Sequence, residues 1–472
     1  MPPSRAARGV PLLALAYAGF ISLGLPDGLL GVGWPSMRLD FGQPAGAVGY
    51  LLAAGTVGYM ASSVAAGFVL ARLGVGRLLA ISTGMAALAL IGYALSPVLA
   101  TVVGCALLLG LGSGAIDSGL NAYAAEHFGA RHMNWLHASF GAGATLGPLV
   151  MTGVLSAGLA WRWGYGLVAA AQALLATAFA LTAGAWAAHR RVAAAPLGES
   201  VAAAPVGGSV AVAPVGGSAP AESVAAAPLG GSVSAAPLGE TVAAALVGGS
   251  APAGSAPAGS APAESAPAGS ASARPPVRRT LAVPAVWFGA AMFLCYVGLE
   301  VGAGLWAYTL LTEGRGANAR VAGLCVSAYW GSLFVGRIVI GLLGDRVAPR
   351  HTLAACLALL MAGAALVALP AAWVAVLGLI VIGFAAAPIF PLLTLTTADR
   401  VGPEHADRAI GVQIGAAGLG GAVLPTGIGL ALERWGAGAL GLALFAIGVA
   451  VIVFYLLATA SRGAGRRPAA AA

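Results

Sequence analysis

The sequence predicts an all-α membrane protein of twelve transmembrane helices, arranged as two parallel six-helix repeats joined by a disordered cytoplasmic linker. Three observations carry this prediction. Only 8% of the 472 residues are charged and 59% are hydrophobic, with a mean hydropathy of +0.92, whereas soluble domains carry about a quarter charged residues. Apolar runs long enough to cross a hydrocarbon core of roughly 30 Å recur as six plus six around a tract of Ala, Pro, Gly and Ser. Segments of the second set repeat segments of the first at one constant spacing.

The elements follow in order. MPPSRAARGV is a short basic tail, and the first apolar run lacks the short core and small-residue cleavage site of a signal peptide, so it is expected to be retained. Spans are expected near 11–34, 44–70, 78–96, 98–125, 134–158 and 163–187, then near 284–311, 319–343, 351–369, 372–397, 407–431 and 437–459. Runs such as 163–186 show no apolar/polar alternation, which makes them helices and not barrel strands. The domain reading is an N-terminal bundle over 1–188, a linker over 189–280, a C-terminal bundle over 281–460 and a tail over 461–472. The linker consists of near-repeats such as SVAAAPLGG and APAGSAPAGS. Their Pro and Gly prevent regular helix, and their small side chains offer little to bury.

All 23 basic residues are arginines, and their placement sets the orientation. With the N-terminus inside, seventeen arginines fall in cytoplasmic segments and five outside, leaving Arg337 within a span; short cytoplasmic loops retain excess positive charge. Both termini and the linker are therefore expected in the cytoplasm. The arginines are scattered, which argues against nucleic-acid binding. Cys105, Cys295, Cys325 and Cys356 all lie in apolar spans without CxxC spacing, so neither a disulfide nor a metal framework is expected.

The repeat is visible at an offset of 274 residues. GFVLARLGVGR at 67–77 falls on GLLGDRVAPRH at 341–351, pairing Gly67 with Gly341 and Arg72 with Arg346. At the same offset Gly141, Gly147, Thr152, Gly153 and Trp161 fall on identical residues, ending at Trp435. Each half begins inside and holds an even number of spans, so the repeats are related by an axis along the membrane normal.

These features together resemble the major facilitator superfamily. Its signature, roughly G-x-L-x-D-R-x-x-x-R, is met between the eighth and ninth spans by Gly341, Leu343, Asp345, Arg346 and Arg350. The copy after the second span keeps Gly67 and Arg72 but has Ala71 at the acidic position and Gly76 at the last arginine. GLPDGLLGVGWP, GLGSGAIDSGLNAY, NWLHASFGAGATLGP and YVGLEVGAGLW are further similar to segments of the fucose-permease-like branch, whose characterised members take up sugars with protons or sodium. The resemblance implies the major facilitator fold. It also implies a gating role for Asp345, Arg346 and Arg350.

Of fifteen acidic residues, three lie well inside spans: Asp27, Asp117 and Glu300. An ionised carboxylate at that depth is costly unless paired, hydrated or protonated, so each is expected to face a cavity or hold a proton. A proton-coupled carrier needs carboxyls whose protonation answers to their surroundings. Asp27 sits between Pro26 and Gly28, a combination that predicts a locally unwound helix offering carbonyls beside the carboxylate. Asn121, Asn134 and His137 are expected at the hairpin of spans four and five, with Asp117 one turn from Asn121 on the same face. They either bind hydroxyls with His137 moving a proton, or knit the two helices together. Trp306, with Tyr329 and Trp330, is a candidate for stacking on a sugar ring, against an interfacial or lipid-facing role. Arg337 is expected to pair with Asp345 or backbone carbonyls, with cargo binding as the alternative. Glycine-rich blocks such as GAGATLG and GAAGLGG permit close, sliding helix contacts.

The expected function is a monomeric secondary transporter of the cytoplasmic membrane, moving a small polar solute such as a sugar or polyol by proton-coupled alternating access, with sodium as the alternative ion. Alternatives are a proton-antiport exporter of drugs or metabolites and a non-transporting membrane sensor. No GxSxG, HExxH, phosphate-binding loop or metal-spaced His/Cys cluster occurs, so neither an enzyme nor a cofactor is expected.

Overall fold

The computed structural model describes residues 5–128, 130–193, 276–343 and 347–465, with side chains for all of these except 5–11, 130, 131, 134, 187–193, 343 and 462–465. Twelve of its helices are long and apolar enough to cross a membrane, and the described residues contain no strand. They are α1 (Arg5–Asp40), α2 (Val48–Leu73), α3 (Val75–Leu95), α4 (Leu99–His127), α5 (Ala130–Ser156) and α6 (Arg162–Ala193). After the interruption come α7 (Pro284–Thr309), α8 (Ala319–Leu343), α9 (Pro349–Ala368), α10 (Ala372–Ala386), α11 (Ala406–Trp435) and α12 (Ala439–Gly465). A short helix, Val277–Leu281, precedes α7, and α6 and α12 run a few residues past the expected bundle limits. Most of the expected linker lies outside the described residues.

Local chemistry sets the boundaries. Pro284 and Pro349 open α7 and α9, where a missing N–H costs nothing. A single residue, Gly74 at φ +76°, reverses the chain between α2 and α3, a conformation side chains oppose.

The pairing of helices repeats. α1 packs on α5 and α6, α2 on α4, and α3 on α4 and α6; in the same way α7 packs on α11 and α12, α8 on α10, and α9 on α10 and α12. Helices of one hydrophobicity gain little from hiding in each other, so contact depends on close fit, which small residues allow. The GLPDG of α1 and the GLEVG of α7 lie at the 274-residue offset. A Cβ on Gly24 or Gly28 would come within 2.6 Å or 2.5 Å of the Ala144 backbone in α5. A Cβ on Gly298 or Gly302 would meet Leu424 or Ile428 of α11 at 2.6 Å. The repeat is thus one of packing as well as of sequence.

These contacts correct the expected unwinding at Asp27. α1 is helical without a break through Pro26 and Gly28. Pro26 frees the carbonyl of Ser22 one turn back, and Gln172 of α6 donates its amide to that oxygen at 2.8 Å. Gly28 serves the approach of α5 and leaves the helix intact. The interrupted span is the tenth, where α10 stops at Ala387 and Pro388 before Ile389–Leu395 resumes. The hydroxyl of Tyr296 stands 2.7 Å from the carbonyl of Ala386 there, its one proton shared between that oxygen and Glu300. α7 ends in a π turn, Leu310–Gly314.

The halves meet through α5 against α8, α2 against α11, and α1 against α7. On the face opposite the two chain ends, Arg38 pairs with Glu313 at 2.9 Å and the amide of Gly46 donates to Glu433 at 3.2 Å. Gly49 approaches Thr426 there and Gly323 approaches Thr152, contacts that are themselves related by the 274-residue offset.

Candidate functional site: a cavity between the halves

A cavity of about 310 Å³ lies between the halves, lined by α1 to α8, the segment after α10, and α11. This is near the lower end of the roughly 300–1,000 Å³ typical of small-molecule sites. Its walls are mainly apolar, including Phe20, Leu30, Phe140, Leu305, Trp330 and Phe390. Its charged lining is Asp27 and Asp117 from the first half, Glu300 and Arg337 from the second, with His137 beside them.

The three carboxyls differ in their partners. Asp27 is open to the cavity and makes no hydrogen bond or ion pair among the described residues. Asp117 is 7% exposed and held at both oxygens: Tyr59 donates to Oδ2 at 2.7 Å and Asn121 donates to Oδ1 at 3.0 Å. Glu300 accepts the hydroxyl of Tyr296, while Tyr329 donates to its backbone carbonyl at 2.7 Å. At the repeat offset Glu300 falls on Pro26, one position from Asp27, so each half brings an acid to corresponding depth on its first helix. Asp27 lies in electrostatic reach of Tyr59 and Tyr93, and Arg337 of Glu300 and His137.

The remaining sequence candidates divide. His137 lines the cavity with its ring edge-on to Phe20, centroids 5.1 Å apart. Asn121 stands behind Asp117 and contacts no cavity space. α4 packs chiefly on α2 and α3 while α5 packs on α1 and α8, so the expected four–five hairpin is not a tight pair. Gly110 and Gly114 direct α4 to α2, where a Cβ would run into the backbone of Gly55 and Tyr59. The side chain of Asn134 lies outside the described residues.

Trp306 is 1% exposed, and its indole donates to the Pro425 carbonyl at 2.8 Å, so it packs α7 on α11 and does not face the cavity. Tyr329 is likewise buried, and Trp330 is the cavity tryptophan of this region. Arg337, expected to pair with Asp345 or with backbone carbonyls, lines the cavity, and Asp345 lies outside the described residues. So does Arg346; Gly341, Arg350 and Arg72 are exposed. Tyr59 and Tyr296 escaped the sequence reading. Their signal was a phenol one turn or one helix from an intramembrane acid, which for Tyr296 is the i, i+4 spacing to Glu300. No group of His, Cys, Asp and Glu suited to a metal occurs among the described residues.

The family model of the Major Facilitator Superfamily matches residues 16–310 and 288–472, which together take in nearly the whole chain. The chain belongs to this superfamily. It is therefore a multi-pass membrane transporter of small molecules and not an enzyme. Among solved structures it is similar to a mutant of the nucleoside transporter NupG, at 13% identity and a TM-score of 0.65, over 95% of this chain and 98% of that one. It is similar to the proton:xylose symporter XylE at 12% identity and a TM-score of 0.58, over 96% of each chain. It is also similar to the transporter FucP in the outward conformation, at 15% identity and a TM-score of 0.52, over 94% of this chain and 98% of that one. At such identities the likeness is one of fold. No curated protein matches the sequence.

Proposed function

We propose that this major facilitator moves a small polar solute of the sugar or polyol kind by proton-coupled alternating access. The arginine distribution supports a cytoplasmic side of the cell membrane for both termini and the linker. The observation that carries the reading is the set of three carboxyls on one cavity between the halves: Asp27 free, Asp117 fixed by Tyr59 and Asn121, Glu300 fixed by Tyr296. Two held acids and one open acid separate the task of orienting a solute from that of exchanging a proton. Asp27, unpartnered and open, is the carboxyl assigned to the proton. Asp117 and Glu300 present fixed acceptors to hydroxyls. His137 and Trp330 complete the site, the latter as the stacking surface. Solved relatives in fold include a proton:xylose symporter and a nucleoside transporter, both with hydroxylated cargo.

The test is uptake of labelled sugars and polyols by proteoliposomes, with and without an imposed inward proton gradient. Wild type is compared with Asp27→Asn, Asp117→Asn and Glu300→Gln. The expected result is accumulation driven by the gradient and lost in Asp27→Asn. Gradient-independent uptake would remove proton coupling, and efflux of amphiphilic cations in its place would favour the antiport exporter.

A further inference from the structure

Arg337 has no structural employment that the described residues reveal. It lies on α8 among apolar residues, lines the cavity, and makes no hydrogen bond or ion pair among the described residues. One of its guanidinium nitrogens, Nη1, is buried without any partner. Glu300 is within electrostatic reach, yet its carboxylate takes the hydroxyl of Tyr296 and forms no ion pair with Arg337. A guanidinium at membrane depth is expensive to leave unsatisfied, and planar N–H pairs fit the two oxygens of a carboxylate or the edge of a phosphate. A neutral sugar offers neither.

We infer that Arg337 anchors an oxyanion group on the transported solute, so that the cargo is a hydroxylated anion such as a sugar acid or sugar phosphate. This rests on the reading of the cavity as a solute site and narrows its substrate class. Loading a monoanion, whether a sugar carboxylate or a singly protonated sugar phosphate, together with one proton on a cavity carboxyl leaves the charge of the cavity unchanged, which limits the desolvation cost of moving both. The open carboxylate of Asp27 in the same cavity would otherwise repel the cargo. Proton and anion are therefore taken together.

The test uses full-length protein in proteoliposomes under an inward proton gradient, with labelled D-glucuronate, glucose 6-phosphate and D-glucose as probes. Wild type is expected to take one of the two anions at least about tenfold faster than glucose. Arg337→Gln should collapse that anion-to-glucose ratio by on the order of 30-fold, as for loss of one partner of a buried charge pair. Arg337→Lys, which keeps the charge without the fork, should recover part of it. Uptake by glucuronate alone or by the phosphate alone identifies which oxyanion is bound. Glucose taken up with both anions refused would overturn this inference and leave the transport reading standing. A ratio unchanged in Arg337→Gln would overturn it as well. No flux of any probe would sink both readings for these solutes. The wild-type ratio is informative even where a variant proves unstable, which its melting temperature in detergent reveals.

Discussion

Arg38 at the end of α1 and Glu313 in the π turn after α7 hold the two halves together through an ion pair of 2.9 Å, with side chains 21% and 45% exposed. Such partly exposed pairs contribute about 0.2–1 kcal/mol, enough to shift a two-state balance up to about fivefold. Arg38→Glu should therefore favour a state parted on the face opposite the chain ends, and Arg38→Glu with Glu313→Arg should restore the original balance. Spin labels at Leu39 and Arg320 read this directly as longer distances in the single variant alone. High salt should weaken the effect of the pair.

A second prediction concerns the glycines at the same face. A Cβ at Gly49 would come within 2.9 Å of Thr426 Cβ, and one at Gly323 within 2.8 Å of Thr152 Cβ. Gly49→Ala and Gly323→Ala should each cost about 1–3 kcal/mol of the closed arrangement by overpacking. Gly84→Ala, with nothing within 4 Å, should be neutral or gain up to about 1 kcal/mol from helix propensity. Melting temperatures of the purified protein order the three, and equal effects at all three would show that the halves do not need these close approaches.

What could be read from the sequence was whatever depends on the chain's own period and composition. Twelve spans, the offset of 274 residues and the three intramembrane acids are properties of single segments or pairs of segments. What could not be read depends on which neighbour covers which face. Pro26 and Gly28 announce a possible break, but whether it occurs rests on Gln172, 146 positions after Pro26, whose amide satisfies the freed carbonyl of Ser22. Trp306 and Trp330 are chemically the same candidate; only the position of α11 against α7 decides that Trp306 is covered. Arg337 carries a charge that suggests a nearby acid in sequence, whereas the helix turns it to the cavity.

Tyr59 supports the third prediction. Its hydroxyl donates to Asp117 at 2.7 Å, and Asn121 donates to the other oxygen. Hydrogen bonds to a charged group contribute about 1.5–3 kcal/mol, so Tyr59→Phe should lower solute uptake by roughly tenfold or more if Asp117 orients the cargo. The loss should appear in affinity more than in maximal rate, because α2 and α4 remain packed through Gly58 and Gly110. Asn121→Ala should act in the same direction. Wild-type kinetics in both variants would show that the fixation of Asp117 is not used in binding.

The two tryptophans give the last prediction, since they differ in place and not in type. Trp330 lines the cavity and is half-buried, while Trp306 is buried with its indole on the Pro425 carbonyl. Trp330→Ala removes a wall of the site without emptying a core position, so it should raise KM for the transported solute with a small change in melting temperature. Trp306→Phe keeps most of the packing but loses the indole hydrogen bond to the Pro425 oxygen, which retains its helix partner, at a cost of about 0.5–1.5 kcal/mol. It should lower the melting temperature and leave KM near wild type. Tryptophan fluorescence supplies an independent readout: solute binding should perturb emission in wild type and in Trp306→Phe, but not the Trp330 contribution once Trp330→Phe has removed it. A KM effect confined to Trp306 would place the solute between α7 and α11 instead, and would require those helices to separate when the cavity is loaded.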